Sequence, residues 1–376
     1  MTCKPDRIFP YVHLLQYDEL LQLQMKQPQP KQYYWAQLIC LYASVAIITL
    51  LLTFPFYITA YRISVADLVP IDDYRQIVES LQNGHLKGFT APFGYRILTP
   101  LLSIPLTRIT PPLFSRISLT ASQEWVQATF ALCTVSYIFF VLTTLVLFAY
   151  LRDIRIPIWG IISALCIFWL SPAHETYLYP LTDASAIFFV SVLHWAYEKN
   201  YRTMFFFGSM LGVAAKEITI IVAGLTLIFH LCWWPKRRPR ALSYLFLLFP
   251  SVFVYLGARV LLRFPGNEAQ QYVWEYPGRF LKLPQFVFNL RGLLLNVYPL
   301  WPIAFAMLIF IIVESQSPGT RSDIFHWSNL GVTCSLIILA IVLDVRYNIG
   351  RIAFFSFPLF TPVIGWWIPQ IFHRNC

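Results

Sequence analysis

The chain has 376 residues, of which 57% are hydrophobic and 12% charged, with a formal net charge of +10. Soluble domains carry roughly 25% charged residues, so too little polar surface exists here to solvate a globular fold, and a soluble domain is excluded. The basic excess sits in loops beside long apolar runs, where it reads as a topology signal and a source of lipid-headgroup contacts rather than a nucleic-acid surface.

The first 35 residues are polar and include Pro28 and Pro30. They read as a cytoplasmic N-terminal tail. The apolar run 36–59 that follows is too long for the apolar part of a signal peptide, and an uncleaved signal anchor is expected. Everything from 36 to 376 is expected to be a single transmembrane catalytic domain, with the loop 60–124 on the outer side.

That loop is far longer than a connector needs to be. Within it, Asp72 and Asp73 open a stretch in which Tyr74, Ile77 and Leu81 fall at helical spacing. An amphipathic helix lying in the membrane interface is expected, with Asp72 or Asp73 at its N-terminus. After Gly84 and Gly88 comes Pro92-Phe93-Gly94-Tyr95-Arg96-Ile97-Leu98-Thr99-Pro100, then a short apolar stretch broken by Pro105. It is too short to span and is expected to dip into the interface.

Further apolar runs cover 125–150, 156–172, 180–197, 203–216, 217–234, 241–262, 286–313, 328–343 and 352–371. In hydrocarbon every backbone N–H and C=O must be paired within the segment, so these runs predict helices. The fold class expected is all-α: a polytopic integral membrane helical bundle of about nine or ten transmembrane segments. With the tail inside, Arg152, Arg155, Lys199, Arg202, Lys236, Arg237, Arg238 and Arg240 all fall on the inner side, as the positive-inside rule requires. Residues 203–215 are short for a span. Two short helices meeting at Lys216-Glu217, with that pair lining a cavity, fit better than one long helix, which would put Lys236 to Arg240 outside.

Seven cysteines with no Cys-x-x-Cys or Cys/His ligand spacing support neither a disulfide framework nor a zinc site. No Walker A, dinucleotide-binding or nucleophile-elbow motif is present. Acidic residues near spans collect on the outer side, and charge near the bilayer is costly, so Asp183 and the Lys216-Glu217 pair are functional candidates. Each candidate also has a structural reading: Asp72 and Asp73 as helix caps, Arg96, Arg346 and Arg351 as side chains reaching for headgroups, Lys216-Glu217 as an ion pair holding two helices together.

Taken together, the Asp72-Asp73 pair after the first span, the Tyr95-Arg96-Ile97-Leu98-Thr99-Pro100 block, Lys216-Glu217, and Asp344-Val345-Arg346-Tyr347 with Arg351 and Pro358 resemble the GT-C type membrane glycosyltransferases. These include protein O-mannosyltransferases, lipid A aminoarabinose transferases and GPI-assembly mannosyltransferases. The resemblance implies transfer of a sugar from a polyprenyl-phosphate donor to an acceptor hydroxyl at the outer or lumenal face. It implies Asp72 or Asp73 as general base, and Tyr95, Arg96, Asp183, Lys216, Glu217, Arg346 and Arg351 as substrate-binding residues. A carboxylate within reach of the acceptor hydroxyl and a cation where negative charge develops on the departing phosphate are what such a reaction needs. A monophosphate leaving group held by Arg or Lys needs no metal, and neither metal nor cofactor is expected. The expected partners are a lipid-linked sugar donor and membrane lipids, not nucleic acid. The membrane is expected to be a bacterial inner membrane or, alternatively, that of the endoplasmic reticulum. Two other classes share the intramembrane charges: a transporter or flippase of lipid-linked sugars, and a non-catalytic membrane assembly subunit.

Overall fold

The structure is a computed structural model of the whole chain, and it describes residues 31–65, 72–85, 96–109, 123–171, 181–262, 292, 297–316, 327–342 and 349–374. Among these residues the regular structure is helical throughout, with no strand. Within the described residues three helices are long and apolar enough to cross a membrane, and a fourth span results if one bent pair is counted as one. The protein is an all-α helical membrane bundle, as its composition demands.

Helix α1 (Lys31–Val65) and helix α4 (Gln123–Asp153) pack along each other. On α1, Ile39, Leu51 and Phe54 are exposed, as side chains facing acyl chains are, whereas Tyr57 and Tyr61 are buried against the bundle. The Tyr57 and Tyr137 rings stack at 4.7 Å, and the Tyr137 hydroxyl donates to the Leu50 carbonyl at 2.8 Å. A buried tyrosine needs such a partner for its hydroxyl.

Between α1 and α4 in sequence lie two short helices, α2 (Asp72–Gln82) and α3 (Leu98–Thr107). The amphipathic reading of α2 holds in its packing: Tyr74, Ile77 and Val78 are buried, and Gln76 and Glu79 are exposed. Helix α3 lies along α4 and touches α2.

Helix α5 (Ile158–Leu170) follows. Helix α6 (Asp183–Lys199) runs against α4 and against α7 (Arg202–Ala215). It ends where Asn200 takes the left-handed conformation, φ 62°, a stop that asparagine tolerates well. Helix α8 (Ile218–Trp233) packs on α9 (Arg238–Leu262), which a short 3₁₀ turn, Pro235–Arg237, introduces. Residues 238–240, expected in the loop, are therefore the first turn of α9, where Pro239 is tolerated because its missing N–H has no helical partner anyway.

Helices α10 (Trp301–Gln316), α11 (Trp327–Val342), α12 (Ile349–Ala353) and α13 (Thr361–Arg374) complete the bundle. Of the expected run 286–313, helix α10 covers 301–313, and most of 286–296 lies outside the described residues. The last run, expected as one span over 352–371, is instead broken. Ile349–Leu359 and Thr361–Pro369 meet at 62°, because Pro358 and Pro362 remove two helix N–H donors around Phe360. Six other apolar helices have only 10–17 residues, less than the ~20 that cross a hydrocarbon core unaided.

The core is aromatic. Phe140 stacks on Phe168 at 4.9 Å, Phe168 on Phe357 at 5.9 Å, and Phe357 on Phe354 at 4.9 Å. This column ties α4 and α5 to the broken C-terminal segment, and so brings Arg351 within reach of α6.

Candidate functional site

Asp183 is the first residue of α6 and its side chain is fully buried. A carboxylate at a helix N-terminus is favoured by the unpaired N–H groups there, yet its burial demands cations as well. It has two. Lys216 Nζ lies 2.5 Å from Asp183 Oδ1, and the Arg351 guanidinium is bound to Asp183 Oδ2.

Lys216 reaches Asp183 because of how α7 and α8 meet. The backbone at Lys216 is extended, φ −168° and ψ 137°, so one residue separates the two helices from a continuous course. Gly212 makes the close return possible: a Cβ there would stand 2.6 Å from Thr219 Cγ2 on α8. The expected break between two short helices at Lys216-Glu217 is thus observed.

Glu217 turns to a different partner. Arg96 Nε donates to Glu217 Oε2 at 2.9 Å, and a second guanidinium nitrogen binds Oε1. Such a two-point pair holds both planes in place. Lys216 and Glu217 therefore do not bridge α7 and α8 to each other; they tie the break to α6 and to the start of α3. The Arg96 and Arg351 heads are likewise engaged with carboxylates instead of reaching away to headgroups. Arg96 Nη1 also donates to the Tyr74 hydroxyl at 3.5 Å, and that hydroxyl lies 3.2 Å from Thr182 Oγ1. Tyr74 on α2 thereby connects the Arg96–Glu217 pair to the residue beside Asp183. The ring of Phe355 faces Lys216 Nζ, with its centroid 5.4 Å away.

Among the described residues, three cations, Arg96, Lys216 and Arg351, meet the two carboxylates Asp183 and Glu217. Side-chain exposure of Arg96, Lys216, Glu217 and Arg351 lies between 14% and 22%, so the cluster borders open space instead of being sealed in the core. Burial by itself would raise the Glu217 pKa, but the Arg96 guanidinium outweighs it and brings the carboxyl down to about 2. Arg96 in turn is held protonated by Glu217 against the effect of its own burial.

Asp72 and Asp73 open α2, which carries Tyr74 into the cluster. Asp73 is partly buried; of Asp72 only its place at the start of the helix is described. Tyr95, Asp344 and Arg346 lie outside the described residues. Sequence reading placed Tyr74 on the apolar face of α2 and passed over Thr182, Phe355 and Arg75. Arg75 is buried, donates Nε to Thr129 Oγ1 at 2.9 Å and a terminal nitrogen to the Ser64 carbonyl at 2.7 Å. Its guanidinium lies 3.2 Å from the Trp125 ring centroid. It fixes α2 against α1 and α4, and so sets where Tyr74 and Asp73 stand. A polar residue carrying an otherwise apolar helix face was the available signal for Tyr74.

Among the described residues no group of three His, Cys, Asp or Glu side chains gathers as metal ligands would. A cavity lined by His194, Tyr197, Phe205 and Thr226 lies between α6, α7 and α8 toward the far ends of those helices, and shares no residue with the charge cluster. Compared with known proteins, the chain matches no protein-family model, no curated protein and no solved structure.

Proposed function

We propose that the chain is a membrane glycosyltransferase that moves a sugar from a polyprenyl-phosphate donor to an acceptor hydroxyl, on the outer or lumenal face of a bacterial inner membrane or of the endoplasmic reticulum. The observation that supports this reading best is the cluster of three cations, Arg96, Lys216 and Arg351, which the described residues gather with two carboxylates at one end of the bundle. A phosphate is the anion such a site suits, since Arg and Lys donors placed where charge develops lower the barrier to its departure.

In the reaction the acceptor oxygen attacks the anomeric carbon of the sugar. The bond from that carbon to the phosphate oxygen breaks, and the lipid phosphate leaves with the electron pair. Arg96, Lys216 and Arg351 receive the negative charge. The acceptor proton passes to Asp72 or Asp73, at the start of the helix that also brings Tyr74 to Arg96. Asp183, enclosed by two cations, positions Lys216 and Arg351 and is a poor base, because those cations hold it ionised and disfavour its taking up a proton.

The test is sugar transfer from radiolabelled polyprenyl-phosphate sugars to candidate acceptors by the purified protein. Asp72→Asn or Asp73→Asn should reduce turnover by about 10²–10⁴-fold, the usual effect of removing a positioned general base. Loss of a helix cap alone costs only about 1 kcal/mol of stability. Near wild-type turnover in both variants would remove these residues from the mechanism. Absence of transfer by the wild type with every lipid-linked sugar offered would favour a transporter or an assembly subunit.

A further inference from the structure

The opposite ends of the same helices carry a second set of charges, which the proposed reaction does not use. There Lys199 Nζ donates to the Asp153 carbonyl at 2.6 Å, and Trp195 Nε1 donates to Asp153 Oδ2 at 3.0 Å. Glu198 is held by Arg237 at 2.5 Å, and the Arg237 guanidinium lies 3.9 Å from the Trp234 ring centroid. Arg238 donates to the Leu231 and Cys232 carbonyls at the end of α8, at 2.8 and 3.2 Å. Each of these basic groups has a protein partner.

Arg240 differs. Its guanidinium rests on two rings, 4.9 Å from the Tyr197 centroid and 5.9 Å from that of Tyr244. Its Nε and one terminal nitrogen are buried with no hydrogen-bond partner, and among the described residues no carboxylate pairs with it. The two acids of the α4–α5, α6–α7 and α8–α9 connections, Asp153 and Glu198, are engaged elsewhere. Arg240 as a whole is half-buried, but two buried guanidinium donors that go unused are costly.

The geometry points to Arg240 as the anchor of a binding site for the phosphate of an anionic phospholipid, with the Tyr197 and Tyr244 rings as its platform. Lipid rather than free phosphate follows from the surroundings. Helix α9 leading away from the site exposes Leu242, Phe246 and Phe249, and Trp233, at the close of α8 at the same end of the bundle, is 60% exposed. Indole rings settle at headgroup depth, and an apolar helix surface next to them is where acyl chains lie. Basic pockets between helix ends bind anionic headgroups in this way.

The full-length protein, purified in detergent, would be titrated with dioleoylphosphatidylglycerol, dioleoylphosphatidylcholine or inorganic phosphate, and retained molecules counted by native mass spectrometry. Wild type should retain the anionic lipid in preference to the zwitterionic one. Arg240→Gln should weaken that retention by at least about tenfold, the effect of losing one charge-assisted donor group. Lys236→Gln, which removes the same charge from an exposed neighbour, should change it by less than about twofold. Arg240→Lys keeps the charge without the planar fork and should bind about threefold more weakly, which keeps the test valid if Arg240→Gln does not fold. Undiminished binding in both Arg240 variants overturns the proposal. Equal losses in Arg240→Gln and Lys236→Gln would reduce the site to a diffuse basic surface, and displacement of the lipid by millimolar inorganic phosphate would make it a site for the free ion.

Discussion

The two ends of the bundle use charge in opposite ways. At the end formed by the α4–α5, α6–α7 and α8–α9 connections, eight basic side chains (Arg152, Arg155, Lys199, Arg202, Lys236, Arg237, Arg238, Arg240) stand with two acidic ones, Asp153 and Glu198. At the other end Asp183 and Glu217 gather Arg96, Lys216 and Arg351 from distant parts of the chain. Helix α6 carries Asp183 at its start and Lys199 at its close, so its 17 residues hold the two layers about 24 Å apart at 1.5 Å per residue. Basic residues such as those at the first end resist crossing a bilayer; the second end joins opposite charges into pairs. A basic surplus spread over loops needs only correct topology, whereas a cluster of opposite charges needs correct packing.

If the ends face opposite sides of a membrane, cysteine labelling gives an all-or-none answer. In a background without the native cysteines, Gln76→Cys on exposed α2 should react with an impermeant maleimide from the outer face, and Lys236→Cys only after permeabilisation. Labelling of both from one side would remove the comparison at its root.

The next largest effect belongs to the buried carboxylate. Asp183→Asn leaves Lys216 and Arg351 beside each other with no neutralising charge, and breaking a buried ion pair in this way costs about 3–5 kcal/mol. Thermal unfolding in detergent should show a large loss. A variant as stable as wild type would mean that the two cations separate freely and that Asp183 does not organise them.

A double-mutant cycle on Arg96 and Glu217 sharpens the comparison. The two-point geometry predicts a coupling of about 1–3 kcal/mol. Because the folded-state pKa of Glu217 is depressed to about 2, below the ordinary value near 4.3, its contribution is fully present above about pH 4.3. It is lost only as pH falls through about 2. The coupling measured at pH 8 should therefore persist at pH 5, and a loss between those values would place Glu217 in a more solvated setting. Gly212→Ala should destabilise by about 1–3 kcal/mol, since the added methyl meets Thr219 and overpacking has costs of that size. The smallest effect is at the basic end, where Lys236→Gln should leave the melting temperature unchanged, as exposed charges contribute little to stability. A clear shift there would show that this end, too, is built from specific contacts.

Sequence reading reached the site unevenly. The break at Lys216-Glu217 was legible from length, because thirteen apolar residues before a charged pair cannot form a full span. The amphipathic helix beginning at Asp72 was legible from its spacing, and so was the gathering of basic residues on one side. The partners were not. Neighbouring Lys216 and Glu217 read as a pair with each other, but one extended residue turns them to Asp183 and Arg96, which lie 33 and 121 residues away in sequence. Tyr74 read as one apolar residue among three, because a tyrosine on a buried helix face looks the same whether or not its hydroxyl meets an arginine. The final span read as continuous, and its two prolines around Phe360 bend it.

By itself, then, the sequence determined that this chain is helical and lies in a membrane, that the run 203–234 breaks at Lys216-Glu217, and which end of the bundle is basic. Those properties follow from composition and period along the chain, through the requirement that backbone groups in hydrocarbon be paired within their own segment. Only the tertiary structure decided which carboxylate meets which cation, that Arg75 fixes α2 in place, and that Arg240 lies on the rings of Tyr197 and Tyr244. Pairing is a property of distance in space, and helix packing brings together side chains whose separation along the chain says nothing of it.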